Sequence, residues 1–285
     1  MGKIEVLHPG LYSSIQDLGR FGFRKYGVPQ SGAMDERAAG MANLLLQNEP
    51  NAAVLEITLQ GPVLKFQEAA EIVITGADLS PVLDGEKLFN NHVVHVKAGR
   101  VLKFGSRISG FRAYVAIKNG FQTPEILKSR SWCKSVTPHH RLEKGMEIPF
   151  LRSGISASEK FSAVRSNTYL VSEIIEVYPG PEFDLLSASE KERLQKCPFS
   201  VGMDSDRMGI QFQEKLQNSL EPIITGPVLP GTVQLTPSGV LIALMKDCQT
   251  TGGYPRILQI TQEGLNILAQ KLPGEQLQIK LVNYR

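Results

Sequence analysis

The sequence predicts a mainly β protein, built from antiparallel barrels or sandwiches with a few short helices. Short apolar segments recur along the chain, several with a two-residue period, and Gly and Pro residues separate them. Segments with helical periodicity are few, a combination typical of all-β folds. Because 285 residues suit two domains, we predict one over residues 1–160 and another over residues 161–285. The Ser- and Lys-rich segment 153–167 is the predicted linker.

The predicted strands follow from apolar alternation and from short apolar runs. Residues 55–60 alternate strictly before Gly61-Pro62, which predicts a strand with one buried face. Residues 97–100, Lys-Ala-Gly-Arg, are predicted to form a hairpin turn inside the segment 92–104. The other predicted strands cover residues 72–74, 113–117, 173–178, 240–245 and 277–282.

Three helices are predicted from capping residues at their amino termini. In the first, Ala38, Met41, Ala42 and Leu45 share one face, and Pro50 lies beyond its end. The free N–H groups at its start suit either a plain cap or a bound anion, and the sequence leaves both open. The predicted capping residues are Asp35 or Ser31 for the first helix, Ser187 with Glu190 for the second, and Thr261 for a helix over 262–271.

Composition and charge exclude several classes of protein. The net charge of +3 is small and the Lys and Arg residues are dispersed, so we expect no nucleic-acid or membrane surface. The amino terminus lacks the pattern of a signal peptide, which predicts a cytoplasmic protein. The cysteines Cys133, Cys197 and Cys248 are widely separated, so neither a disulfide framework nor a zinc site is expected.

The segment 247–255, Asp-Cys-Gln-Thr-Thr-Gly-Gly-Tyr-Pro, is the strongest candidate for a binding loop. It follows the predicted strand 240–245, and the ends of strands are common places for binding sites. Gln249, Thr250 and Thr251 present amide and hydroxyl groups beside two glycines that permit close approach of another molecule. A tight turn that satisfies its own backbone groups is the alternative.

Further polar residues are candidates for a small-molecule site. The sequence contains no phosphate-binding loop, dinucleotide fingerprint or nucleophile elbow. Arg20 and Arg207 suit a carboxylate or a phosphate, unless they brace turns with Asp17 and Asp206. An acidic residue in this set is a candidate general base. The polar candidates are Gln16, Asp17, Arg20, Asp78, Glu182, Asp206, Arg207, Gln234, Gln249, Thr250 and Thr251.

Taken together, these motifs resemble the family of allophanate hydrolase subunit 2. That family includes KipA-like proteins, the C subunit of 5-oxoprolinase and part of the carboxyltransferase region of urea carboxylase. The resemblance implies two cyclophilin-like β-barrel domains. The motifs lie at residues 14–22, 27–35, 74–78, 179–183, 205–209 and 249–255.

The resemblance implies three alternative functions. The first is the C subunit of an ATP-dependent 5-oxoprolinase, which opens 5-oxo-L-proline to L-glutamate together with a KipI-like B subunit, an A subunit, and ATP that the complex shares. The second is carboxyl transfer from biotin on a separate carrier. The third is regulation, by binding a KipI-like kinase inhibitor. Cys248 departs from the family pattern, since Arg is common there.

The resemblance also implies roles for the candidate residues. The chain alone is not expected to be active. The implied catalytic residues are Glu182, Asp206, Thr250 and Thr251. The implied substrate-binding residues are Gln16, Asp17, Arg20, Asp78, Arg207, Gln234, Gln249, Gly252, Gly253 and Tyr254.

Overall fold

The structure, a computed structural model, describes residues 1–152 and 168–283. The chain divides into two compact units: the first contains Met1–Arg20 and Ser31–Leu170, and the second contains Phe21–Gln30 and Val171–Arg285. The predicted linker 153–167 and the predicted boundary at residue 160 lie outside the described residues. Strands dominate both units, so the prediction of a mainly β protein is confirmed.

The strands of the first unit form two sheets. They are β1 (Gly2–His8), β2 (Tyr12–Gln16), β3 (Val54–Thr58), β4 (Val63–Phe66), β5 (Ala70–Asp78), β6 (Val82–Leu83), β7 (Glu86–Lys87), β8 (Val93–Val96), β9 (Val101–Lys103), β10 (Ser109–Ile117) and β11 (Glu147–Phe150). One sheet has the order β11-β1-β4-β9-β6-β7, and the other has the order β2-β3-β10-β5-β8. Apolar side chains of both sheets, among them Ile4, Phe66, Ile57 and Val115, form one core.

The prediction that the strand beginning at residue 55 has only one buried face is wrong, because both faces of β3 are buried. Leu55 and Ile57 enter the core between the sheets, but Glu56 is also buried, with 1% of its surface exposed. Its Oε2 atom accepts hydrogen bonds from the Met34 N–H at 2.7 Å and from the Tyr114 hydroxyl at 2.8 Å. Burial of Tyr114 raises the pKa of its hydroxyl well above the ordinary value. The polar residue of the alternation therefore has internal partners and does not face solvent.

The predicted hairpin at residues 97–100 is also wrong. β8 pairs with β5, whereas β9 pairs with β4 and β6 in the other sheet. The turn, in which Gly99 has a φ of 85°, therefore connects two sheets of the first unit. A glycine turn signals a reversal of the chain but does not specify the partner of the next strand.

The first helix, α1 (Glu36–Leu45), begins at the predicted cap and lies in the first unit. Asp35 accepts a hydrogen bond from the Ala38 N–H at 3.0 Å, and Tyr169 donates to the other oxygen of Asp35 at 2.7 Å. Ala38, Ala42 and Leu45 are buried, as the periodicity predicts. Both carboxylate oxygens of Asp35 are thus engaged within the protein, which favours the plain cap over the bound anion.

The second unit contains a closed barrel and a small separate sheet. Its strands are β12 (Ile174–Pro179), β13 (Pro198–Ser205), β14 (Gly209–Lys215), β15 (Gly226–Pro227), β16 (Thr232–Leu235), β17 (Val240–Leu244), β18 (Thr251–Gly252), β19 (Arg256–Ile260) and β20 (Gln276–Leu281). The barrel order is β12-β19-β16-β17-β14-β13-β20, and the parallel pair of β12 and β20 closes it. β15 pairs with β18, which places Gly226 opposite Gly252.

Helices α2 (Ala188–Lys196) and α3 (Gln262–Leu268) complete the second unit. Ser187 and Glu190 form both hydrogen bonds of the predicted capping box, and Thr261 caps α3. α3 ends at Leu268, before the predicted end at residue 271. Among the described residues, no helix has the length and apolar character needed to span a membrane.

Candidate functional site

A pocket of about 570 Å³ lies at one end of strands of the second unit, beside the turn that joins β13 to β14. Four residues predicted from the sequence line it: Asp206, Gln234, Gln249 and Tyr254. Strand β16 supplies Gln234, and the segment after β17 supplies Gln249. The structure thus gathers side chains that are separated by up to 48 positions in the sequence.

The amide of Gln234 is the most buried polar group of the pocket lining. The residue has 2% of its surface exposed. Its Nε2 atom donates to the Tyr254 carbonyl, and its Oε1 atom accepts from the Gln249 Nε2 atom, both at 3.4 Å. These distances exceed the usual 2.9–3.0 Å of such bonds, so both interactions are weak. A primary amide has two donor hydrogens and two acceptor lone pairs. Gln234 therefore retains capacity to bind a ligand that offers both a donor and an acceptor.

Gly252 lies directly against this amide. A Cβ atom at position 252 would stand 2.4 Å from the Nε2 atom of Gln234, closer than real side chains approach. At Gly253, by contrast, the nearest atom would be the Ile223 carbonyl oxygen, at an ordinary 3.5 Å. Position 252 therefore requires glycine for steric reasons, whereas position 253 has space for a Cβ atom.

Backbone hydrogen bonds hold the Thr-Thr-Gly-Gly segment in place. The Val228 N–H donates to the Thr250 carbonyl at 3.1 Å, and the Ile223 N–H donates to the Gly253 carbonyl at 2.9 Å. Thr250 is half-buried, and Thr251 is exposed within β18. Neither residue lines the pocket, and their catalytic roles stay predictions.

Arg24 is a residue that the sequence did not single out. It belongs to the segment Phe21–Gln30 of the second unit, and its guanidinium donates to the Val228 carbonyl and, at 3.3 Å, to the Gln249 carbonyl. Val228 follows β15 and Gln249 precedes β18, so one cation connects the two strands of the small sheet. This contact fixes the backbone from which the Gln249 side chain reaches the pocket.

Arg207 and Asp206 have separate partners. Arg207 forms a bidentate ion pair with Asp247, at 2.8 and 3.2 Å, and is 6% exposed. Asp206 is exposed, and its Oδ1 atom accepts from the N–H groups of Met208 and Gly209 at 2.7 and 3.1 Å. Arg207 therefore braces the start of the 247–255 segment, whereas Asp206 orders its own turn beside the pocket.

Glu182 forms an ion pair with Arg256. The Nη2 and Nε atoms of Arg256 donate to its two carboxylate oxygens at 2.7 and 3.0 Å, and the Arg256 N–H adds a bond at 2.8 Å. These hydrogen bonds lower the pKa of the Glu182 carboxyl. A carboxylate whose two oxygens are both held by one guanidinium is a weak general base.

Cys248 is a buried thiol next to Leu244, which lines the pocket. It packs against Val228 and Leu244. Burial raises the pKa of the thiol, and the nearby Arg24 guanidinium offsets part of the rise. A thiol with a raised pKa is a poor nucleophile, so Cys248 is a structural residue of this core.

The first unit contains the remaining predicted residues. Asp17 is buried, and its carboxylate accepts four hydrogen bonds, from the hydroxyls of Ser129 and Ser131 at 2.7 and 2.6 Å and from the N–H groups of Gly19 and Arg130 at 2.7 and 2.6 Å. This carboxylate therefore organises the polar segment 129–131.

Gln16 and Arg20 are also buried and have partners inside the first unit. Gln16 donates to the Ser14 hydroxyl at 2.9 Å and to the Trp132 carbonyl at 3.1 Å. Arg20 donates to the Ser31 hydroxyl at 3.0 Å and to the Ser131 carbonyl. Asp78 is half-buried and accepts from the Ser80 N–H at 2.9 Å. These contacts stabilise loops, and the substrate-binding roles of these residues stay predictions.

Several residues of the site had weak sequence signals. Met203, Asp204 and Met208 line the pocket beside Asp206, and the proximity of the first two to the 205–209 motif was the available clue. Arg256 directly follows the 249–255 motif. Arg24 lies between the 14–22 and 27–35 motifs, but nothing in the sequence linked it to Gln249, which is 225 positions away.

The chain is similar to known proteins over nearly its whole length. The family model for the carboxyltransferase domain, subdomain A and B, matches residues 26–281. The chain is 32% identical to the 5-oxoprolinase C subunit of Escherichia coli strain K12, covering 94% of this chain and 87% of that protein. It is 30% identical to the 5-oxoprolinase C subunit of Haemophilus influenzae, covering 98% and 91%.

A larger enzyme contains a similar fold. The solved structure of the K. lactis urea amidolyase superposes with a TM-score of 0.89 at 26% sequence identity. The match covers 99% of this chain but 19% of that one, so it concerns one part of a longer protein. From the extent of these matches, the chain belongs to the carboxyltransferase domain family, subdomains A and B.

Proposed function

We propose that the chain is the C subunit of an ATP-dependent 5-oxoprolinase that opens 5-oxo-L-proline to L-glutamate in the cytoplasm. The observation that carries this proposal is the near full-length similarity to two proteins that are named as this component of 5-oxoprolinase. The proposed partners are a KipI-like B subunit, together with the A subunit of the same enzyme. The pocket of the second unit is the proposed contribution of this chain to the shared site.

The chemistry of the pocket suits a cyclic amide. A lactam ring presents a carbonyl acceptor and an N–H donor side by side, and a primary amide matches both. Gln234 is therefore proposed to bind the lactam edge, with Gln249 beside it. Because the Gln234 amide has two long hydrogen bonds of 3.4 Å, a ligand can replace these at little cost.

Asp206 is the proposed proton acceptor for the water that attacks the lactam carbonyl carbon; the ring C–N bond then breaks, and the proton passes from Asp206 to the leaving nitrogen, which becomes the amino group of glutamate. Its Oδ1 atom is held by two backbone N–H groups, so the carboxylate has a defined orientation at the pocket. Carboxylates act as general bases when they are positioned within hydrogen-bond reach of the reacting group. Glu182 is not given this role, because Arg256 occupies both of its oxygens.

The pocket does not suit the phosphates of ATP. Asp204 and Asp206 line it, and no Lys, Arg or His is among the residues that the structure places in its lining. Phosphate sites in proteins normally supply cations or clustered N–H groups. We therefore assign ATP binding to the partner subunits and assign no step that involves ATP to the residues of this pocket.

Glutamate release from 5-oxoproline and ATP tests the proposal. This chain is co-expressed with the KipI-like protein and with the A subunit of its own source, and each is omitted in turn. We expect glutamate only from the full set and none from this chain alone. A complex that assembles but yields no glutamate, or glutamate that persists without this chain, contradicts the proposal.

Biotin-dependent carboxyl transfer is the second candidate. It is favoured by the family model, which is named for a carboxyltransferase domain, and by the structural similarity to urea amidolyase. This function requires bicarbonate and a biotinylated carrier and is abolished by avidin. Glutamate release that is insensitive to avidin distinguishes the two candidates.

A further inference from the structure

The mouth of the pocket exposes large apolar side chains. We define the pocket mouth as Met203, Asp204, Met208, Ile224 and Tyr254. Of its apolar members, Ile224 is 96% exposed, Met203 78%, Met208 51% and Tyr254 40%. Met203, Met208 and Tyr254 line the pocket itself. Ile224 is outside the lining, but its chain segment lies against the residue before Tyr254, because the Ile223 N–H donates to the carbonyl of Gly253 at 2.9 Å.

Exposed apolar side chains that cluster around a pocket are typical of protein interaction surfaces. Single exposed apolar residues are normal on a folded protein and carry no such meaning. Two of the four apolar residues are methionines, whose flexible side chains adapt to a partner surface, and tyrosine is enriched at interfaces.

The same surface is acidic. Asp204 and Asp206 are both exposed, and the structure places no cationic side chain in the pocket lining. The arginines Arg207 and Arg256 of this unit are paired with Asp247 and Glu182. An acidic mouth of this kind repels an anion, because like charges that lie close together near a protein surface interact unfavourably. 5-Oxoproline carries a carboxylate, and none of the described residues that line this pocket supplies a cation for it.

We propose that the pocket mouth is the docking surface for a partner subunit that presents an apolar segment with an Arg or Lys side chain. The apolar segment covers Met203, Met208 and Ile224. The cation pairs with Asp204 and gives the substrate carboxylate a partner. The need for a cation at the substrate rests on the proposed function, whereas the docking surface rests on exposure and charge alone.

Binding measurements on purified subunits test the docking surface directly. The probe is the KipI-like protein of the same source, and the measured quantity is its Kd for this chain by calorimetry. We expect Met203→Glu and Ile224→Glu each to raise the Kd about tenfold or more, as for apolar residues at the centre of an interface. Leu44→Glu is the matched control, because Leu44 is 68% exposed on α1 of the first unit. The Kd of the KipI-like protein for the Leu44→Glu variant is expected to equal its Kd for the wild type.

Charge reversal at Asp204 tests the proposed cation. Asp204→Lys is expected to weaken binding, and added salt is expected to weaken the wild-type complex more than the Asp204→Lys complex. Equal Kd values for the wild type, Met203→Glu and Ile224→Glu would overturn the proposal. Absence of any complex would overturn it as well, and so would self-association of this chain through the same residues.

These outcomes are separate from the failure of the proposed function, because binding is measured without substrate or ATP. A complex that depends on Met203 and Ile224 but releases no glutamate supports the docking surface and contradicts the oxoprolinase. Glutamate release that is unchanged by Met203→Glu and Ile224→Glu, with an unchanged Kd, supports the oxoprolinase and contradicts the docking surface.

Discussion

Substitution of Gly252 by Ala probes the position of the Gln234 amide. The added Cβ atom would lie 2.4 Å from Nε2, whereas ordinary contacts begin at 3.4 Å, so the amide must move by about 1 Å. Nε2 is the end of a flexible side chain and has one hydrogen bond, of 3.4 Å, to the Tyr254 carbonyl. The free energy of unfolding should therefore fall by about 1 kcal/mol or less, a Tm decrease of roughly 2–4 °C.

The effect on activity should be much larger than the effect on stability. A displacement of about 1 Å in a group that positions the substrate can lower the rate on the order of 10²-fold. The assay is glutamate release by the reconstituted complex, with thermal unfolding of the isolated variant measured in parallel. Gly253→Ala is the matched control, since its Cβ atom would have only an ordinary contact of 3.5 Å.

A double variant isolates the cause. If Gly252→Ala acts only by displacing Gln234, then Gly252→Ala combined with Gln234→Ala should have the activity of Gln234→Ala alone. Wild-type activity in Gly252→Ala, or an equal loss in Gly253→Ala, would refute the role assigned to the amide.

Three further substitutions test other contacts. Arg24→Ala should lower the free energy of unfolding, measured by urea titration, by about 2 kcal/mol, because charged hydrogen bonds to two carbonyls are lost. In the same titration, Lys25→Ala, the control at the next position of the chain, should change this free energy by less than about 0.5 kcal/mol. Asp17→Asn should lower the free energy of unfolding by about 2 kcal/mol, because one amide cannot accept all four hydrogen bonds. An unchanged urea midpoint would contradict this prediction. Glu182 has a lowered folded pKa, so its stabilisation is complete above the unfolded value of about 4.3 and is lost as the pH falls through the folded value. The stability difference between wild type and Glu182→Gln should therefore be constant from about pH 6 to pH 7 and shrink below about pH 4.

Local features of the fold were predictable from the sequence. The caps at Asp35, Ser187 and Thr261 involve groups three residues apart, so the sequence contains the whole interaction. The prediction of a hairpin at residues 97–100 was wrong because strand pairing depends on distant segments. The prediction that Glu56 faces solvent was wrong for a related reason, since its partners Met34 and Tyr114 are 22 and 58 positions away.

The candidate site was predictable in part. The 247–255 segment stood out because its polar residues and glycines follow an apolar strand, and the structure places Gln249 and Tyr254 at the pocket. The bracing roles of Arg24 and of the Arg207–Asp247 pair were not predictable, because each depends on partners at least 40 positions away. Motifs thus indicated where polar groups concentrate, but not which of them face the pocket.

Glutamate release by the complex with Gln234→Leu shows whether the pocket of the second unit binds the substrate. Leucine removes the buried amide while it keeps a side chain of similar size, and assembly with the partner subunits is checked by size-exclusion chromatography. We expect intact assembly and a rate of glutamate release at least about tenfold lower, because a ligand amide is then left without its partner. A rate equal to that of the wild-type complex would contradict the claim that this pocket binds the substrate.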